Sequence, residues 1–106
     1  MTDIHGVMNN TKWDELRLAM YATKPAPTYR CMMISGHHSR ADSEWFYHFR
    51  EGGYEDIQYV DIFAESQPHR EQISSALKKI HLPGHETGDG FRVYGYALPG
   101  QNLDYL

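Results

Sequence analysis

The chain has 106 residues, 41% of them apolar and 13% aromatic, and a net charge of −4. That length sets a single domain, 1–106, with one modest core, which is rich enough in rings to hold together without staples. The acidic balance argues against general nucleic-acid binding, which needs a basic face, and disfavours attachment to anionic membranes, and the lone Cys31 excludes an internal disulfide framework.

The N-terminus, Met-Thr-Asp-Ile-His-Gly-Val, lacks the basic start and apolar middle of a signal peptide. No apolar run approaches the roughly 20 residues of a membrane-spanning helix. These features, with one cysteine, fit a cytoplasmic protein. Met8, followed by Asn-Asn-Thr-Lys-Trp, reads as an alternative start. Residues 1–10 and 99–106 are expected to be loosely held ends.

Thr11-Lys12-Trp13-Asp14 reads as a capping box opening a helix over about Thr11–Ala22. Trp13, Leu16 and Met20 recur at helical spacing, and Pro25 and Pro27 bar continuation. Tyr29 to Ile34 is almost wholly apolar and reads as a strand. Cys31, set among Met32, Met33 and Ile34, reads as a buried thiol rather than a nucleophile.

Ser35 to Ser43 is polar and reads as a loop. Then Glu44 to Arg50 and Asp56 to Phe63, both aromatic and β-branched, flank Gly52-Gly53. Glycine supplies the positive φ of a tight turn, so the pattern predicts an antiparallel hairpin. In its first strand Trp45, Tyr47 and Phe49 would share one face, and Phe46, His48 and Arg50 the other.

Ser66 or Gln67 caps a second helix over about Pro68–His81, with Pro68 in the first turn. Ile73, Ala76, Leu77 and Ile80 form its apolar stripe. Pro83-Gly84 stops it, Gly88-Asp89-Gly90 turns the chain, and Phe91 to Ala97 reads as the last strand. The order α-β-β-β-α-β predicts an α+β fold: a two-layer structure, with a mainly antiparallel four-stranded sheet carrying two helices on one face.

Met8-Asn-Asn-Thr-Lys-Trp-Asp-Glu-Leu-Arg-Leu-Ala-Met, Glu44-Trp-Phe-Tyr-His-Phe-Arg-Glu-Gly-Gly-Tyr and Gly90-Phe-Arg-Val-Tyr-Gly-Tyr together resemble a family of small bacterial proteins, a domain of unknown function. The likeness runs from Met8 to Ala97, with Cys31 to Asp42 falling outside it. It implies bacterial origin and carries over no activity and no functional residue.

Three groups of residues bear on function. His37, His38 and Asp42, with Ser39 between them, have the residue types of a metal site or a hydrolytic constellation. His81 and His85 stand four apart, but Pro83-Gly84 breaks the helix that would align them. No standard metal-ligand spacing occurs, so no metal and no cofactor are expected. The plain reading of these histidines is a solvated loop. Gly88-Asp89-Gly90 and Gly52-Gly53 lack the length and the Lys-Ser/Thr ending of a phosphate loop.

The third group is the acidic stretch Glu51, Glu55, Asp56, Asp61 and Glu65, free of lysine and arginine and interleaved with Tyr54, Tyr59 and Phe63, with Trp45 and Tyr47 nearby. Acids beside aromatics suit docking to a basic protein, because charge speeds encounter and rings anchor the contact. The plain reading is a solvated strand edge with ordinary core rings. The expected contact residues are Tyr54, Glu55, Asp56, Tyr59 and Asp61. The leading expectation is a non-enzymatic protein-binding module of the immunity type, capping a basic toxin. The alternatives are a small metal-dependent or hydrolytic enzyme on the His37-His38-Asp42 loop, and a regulatory subunit of a larger complex.

Overall fold

Alternating burial along the strands decides which way the sheet faces. In chain order the elements are β1 (His5–Gly6), α1 (Asn10–Ala22), β2 (Thr28–Met33), β3 (Ile57–Phe63), α2 (Gln67–Ile80), β4 (Gly84–Glu86), β5 (Gly90–Tyr94) and β6 (Tyr96–Ala97). They are seen in a computed structural model that describes residues 4–51 and 53–106. The main sheet has the order β2-β3-β5-β4, antiparallel throughout. Tyr29 and Cys31 of β2, Val60 and Ile62 of β3, and Phe91 and Val93 of β5 turn to one face and are buried there. Leu16 and Met20 of α1 and Ile73 and Leu77 of α2 cover them. The fold is therefore α+β, with both helices on one face and the opposite face carrying Arg30, Asp61, Arg92 and His85 in one cross-strand row.

The helices lie where periodicity predicts, with one change of cap. Asn9, not Thr11, caps α1, its side chain accepting from Lys12 N–H at 2.8 Å. Asparagine caps at least as well as threonine, and the helix begins one residue earlier as a result. Ser66 caps α2, with Pro68 in its first turn, and His81 in the left-handed region ends it. His69 is buried and used at both ring nitrogens: Nδ1 accepts from Glu65 N–H at 3.0 Å, and Nε2 donates to Pro25 O at 2.7 Å.

The predicted hairpin does not form. Asp56 to Phe63 gives β3, but β3 already has β2 on one side and β5 on the other. Residues 45–51 are a run of turns. Gly53 has the expected positive φ of 84°, whereas Gly52 lies outside the described residues. The fourth strand of the sheet is β4, in the stretch read from sequence only as a helix stop. Phe91 to Ala97 is split at Gly95, where a Cβ would lie 2.3 Å from Ile57 O; β6 leaves the sheet there and pairs with β1.

Of the ends expected to be loose, residues 1–3 lie outside the described residues, and parts of the rest make backbone bonds to the body. His5–Gly6 pairs with β6, Val7 N–H donates to Gly95 O, and near the other end Leu106 N–H donates to Leu82 O.

Candidate functional site

The chain between β2 and β3 is held by side chains more than by a ladder. It first returns along the free edge of β2. Tyr29 and Asp42 exchange backbone bonds at 2.7 and 3.0 Å, Ser39 N–H donates to Cys31 O, and Cys31 N–H donates to Ser39 Oγ. Asp42 and Glu44 then organise the turns that follow. Asp42 Oδ1 accepts from Glu44 N–H at 2.9 Å, and Glu44 Oε2 accepts from Tyr47 and His48 N–H at 2.9 and 2.8 Å. Asp42 Oδ2 sits 2.7 Å from His48 Nδ1.

These contacts shift three titrations. Asp42 holds His48 above its ordinary value, against the opposing desolvation. Glu44 is held low, first by the His48 N–H. Burial pushes Asp42 up, but the Glu44 N–H and the His48 ring outweigh it, so its carboxyl stays below the usual range.

Trp45 and Phe49, four residues apart, point inward and are 1% and 3% exposed. Trp45 Nε1 donates to Pro27 O at 2.8 Å, and both rings pack on Tyr29. Of the rings between them, Tyr47 and His48 are exposed and Phe46 is half-buried. Tyr47 is 70% exposed, Phe46 lies 4.8 Å from it, and Tyr21 of α1, 53% exposed, lies 5.1 Å from Phe46. Arg17 fixes Phe46 from below, donating to Phe46 O at 2.6 Å with its guanidinium 5.0 Å over the ring. The Arg17 Nε is 3.5 Å from Asp14 Oδ1, an ion-pair distance without hydrogen-bond geometry. The result is two exposed rings, Tyr21 and Tyr47, bridged by the half-buried Phe46, on a stretch of chain that also carries Asp42, Glu44 and Glu51, with Glu55 and Asp56 further along.

The five expected contact residues do not form one surface. Tyr54 is in the core, packed on Trp13 and Phe49, with its hydroxyl donating to Asp14 Oδ1. Glu55 and Asp56 are exposed in the turn before β3. Tyr59 and Asp61 are on the open sheet face, where Asp61 is taken by Arg92 through bonds of 2.7 and 3.1 Å and the same guanidinium lies 4.0 Å over Tyr59.

The histidine group is rearranged too. Asp42 meets His48, not His37 or His38, whose imidazoles are exposed beside β2. His81 stacks on Tyr105 while His85 is on β4 beside Tyr94. Among the described residues no three His, Cys, Asp or Glu side chains converge as a metal site.

A cavity of about 300 Å³ lies between the turns and the edge of β2, floored by Tyr29, Cys31, Phe49 and Ile57 and rimmed by Ser39, Asp42, His48 and Glu51. An aspartate-held histidine beside a cavity is the arrangement of a general base. Its nucleophile-type neighbours are not activated: burial pushes the Cys31 thiol up to about 12, and the Ser39 hydroxyl is bonded to Cys31 N–H and Arg40 O.

Sequence reading missed Tyr21, Glu44, Phe46 and His48 as site residues, and placed Tyr47 near the acidic stretch without counting it among the contacts. The signal was present in Glu44, placed three and four residues before the N–H groups it caps, and in the i, i+4 spacing of Trp45 and Phe49.

The model of a family of unknown function matches residues 1–100. No curated protein and no solved structure matches the chain.

Proposed function

The chain belongs to the family of unknown function DUF6678, and from that premise we propose that it is a bacterial, cytoplasmic protein-binding module of the immunity type, capping a basic protein such as a toxin. The observation that carries this reading is the pair of exposed rings Tyr21, on α1, and Tyr47, on the turn segment pinned by Trp45 and Phe49, joined through the half-buried Phe46 and close in sequence to carboxylates. Exposed rings on a backbone already fixed lose little entropy on docking, so they serve as anchors. Asp42, Glu44, Glu51, Glu55 and Asp56 crowd one stretch in which Arg50 is the only arginine or lysine, and such charge steers a basic partner.

The contact is accordingly moved from Tyr54, Tyr59 and Asp61 to the exposed rings, while Glu55 and Asp56 keep their steering role. The test is a pull-down from the native host followed by binding kinetics at two salt concentrations. A basic partner is expected. Reversing Glu55 and Asp56 together should slow association and flatten its salt dependence, and Tyr47→Ala should speed dissociation. An acidic partner, or unchanged rates in folded variants, would overturn the reading.

A further inference from the structure

The outer surface of the helix layer carries a second site of association, independent of the aromatic strip. α1 and α2 run antiparallel: Lys12, near the start of α1, donates to Ile80 O at the end of α2, and His69, near the start of α2, reaches Pro25 beyond the end of α1. Between them lies an open groove of about 790 Å³. One wall is Glu15, Leu18, Ala19 and Ala22; the other is Gln72, Ser75, Ala76 and Lys79. Each set follows the i, i+3, i+4, i+7 spacing of a single helix face.

The walls differ in two ways that match. The α1 wall has a bulky side chain, Leu18, 48% exposed, where the α2 wall at the same level has the small Ser75 and Ala76. The α1 wall carries a negative charge at Glu15, and the α2 wall a positive one at Lys79. The pairing of Lys12 with Ile80 puts Glu15 and Lys79 at the same end of the groove.

The geometry points to a homodimer in which a second copy of this chain covers the groove, related by a two-fold axis running parallel to and between the helices. That axis sets α1 of each copy over α2 of the other without changing the level along the helices. Leu18 then enters the gap over the partner's Ser75 and Ala76, and Glu15 faces the partner's Lys79, each contact made twice. A two-fold axis across the helices would instead set α1 on α1, with Glu15 over Ala22 and no charge partner. Small residues at Ala19, Ala22, Ser75 and Ala76 allow the helix layers the close approach of packed helices, and self-complementary two-fold contacts are the commonest closed assembly.

The test uses sedimentation and light scattering on the whole chain over a concentration series. Wild type should pass from the mass of one chain, 12.3 kDa, to twice that. Glu15→Lys or Lys79→Glu alone sets like charges across both contacts and should weaken association by about tenfold. An equimolar mixture of the two variants should recover the dimer, because each then supplies what the other lacks. Leu18→Arg should abolish association. All of these side chains are exposed, and a thermal melt of each variant checks folding. A wild-type mass that stays at one chain throughout, as it would if the groove received a different protein, overturns the proposal. So do single charge variants that associate like wild type, or a mixture that fails to recover.

Discussion

Residues 44–51 and α2 use the same spacing to different ends. In α2, Ile73 and Leu77 are buried four apart; in the turns, Trp45 and Phe49 are buried four apart. α2 runs for 14 residues with a serine cap and a first-turn proline. Ala76 and Ile80 extend the stripe and, Pro68 apart, polar side chains fill its other positions, so only the helical period fits. The turn segment is too short to repeat, and every position between its two anchors carries an aromatic ring or an imidazole. Trp45, Tyr47 and Phe49 alternate as well as they recur at four, so period two and period four both fit. Its conformation is decided by carboxylates: Asp42 and Glu44 bond backbone N–H groups that a sheet would otherwise have paired.

The comparison predicts that the anchors of both regions matter equally. Trp45→Ala should cost about 3–5 kcal/mol and Leu77→Ala about 2–5 kcal/mol, read from denaturant melts. A Trp45 variant as stable as wild type would mean that the turn segment is not part of the core.

Much of the fold was legible because helix spacing, caps and prolines are local signals. The stripe at Ile73, Ala76, Leu77 and Ile80 needs no knowledge of the rest of the chain. Strand neighbours are not local. Nothing in Asp56 to Phe63 says that both its edges are taken by Thr28–Met33 and Gly90–Tyr94, and nothing in Gly84–Glu86 marks a three-residue edge strand. The site was legible as composition, aromatics beside acids, but not as geometry. Which rings face out depended on choosing between two periods, and the fate of Asp61 depended on Arg92 arriving from β5.

Glu44→Ala tests the carboxylate side of the comparison. It removes the acceptor for the Tyr47 and His48 N–H groups and should loosen the turn segment. Hydrogen exchange should localise the loosening to residues 44–51 and leave α2 protected.

A pH series separates the two regions further. His48 is raised in the folded state, so its contribution is full below the ordinary histidine value of 6.5 and lost as pH rises through the raised value. Asp42 and Glu44 are lowered, so theirs are present above their ordinary values of 3.8 and 4.5 and lost as pH falls through the lowered ones. Exchange from 44–51 should therefore be slowest, after correction for intrinsic rates, between the ordinary carboxylate range and the ordinary histidine value of 6.5. It should increase on either side, while the buried centre of α2 keeps its protection. Asp42→Asn should flatten the alkaline limb, since Asp42 is the first cause of the His48 shift. An unaltered limb would place the titration elsewhere.

The smallest expected effect is the most diagnostic of period. If 44–50 were a strand, Tyr47 would share a face with Trp45 and Phe49, and removing any of the three rings would damage one packed layer. With period four, Tyr47 stands 70% in solvent, touching chiefly the Phe46 ring at 4.8 Å, while Phe49 is 3% exposed and packs on Trp13, Tyr29 and Trp45. Tyr47→Ala should then change stability by no more than about 0.5 kcal/mol, against about 3–5 kcal/mol for Phe49→Ala two residues on. The pair should be measured in the same denaturant series, so that errors of extrapolation cancel. Equal losses at both positions would restore the alternating reading and bury the ring on which the docking proposal depends. A silent Tyr47 beside a costly Phe49 leaves a ring that folding does not use, free to act as an anchor.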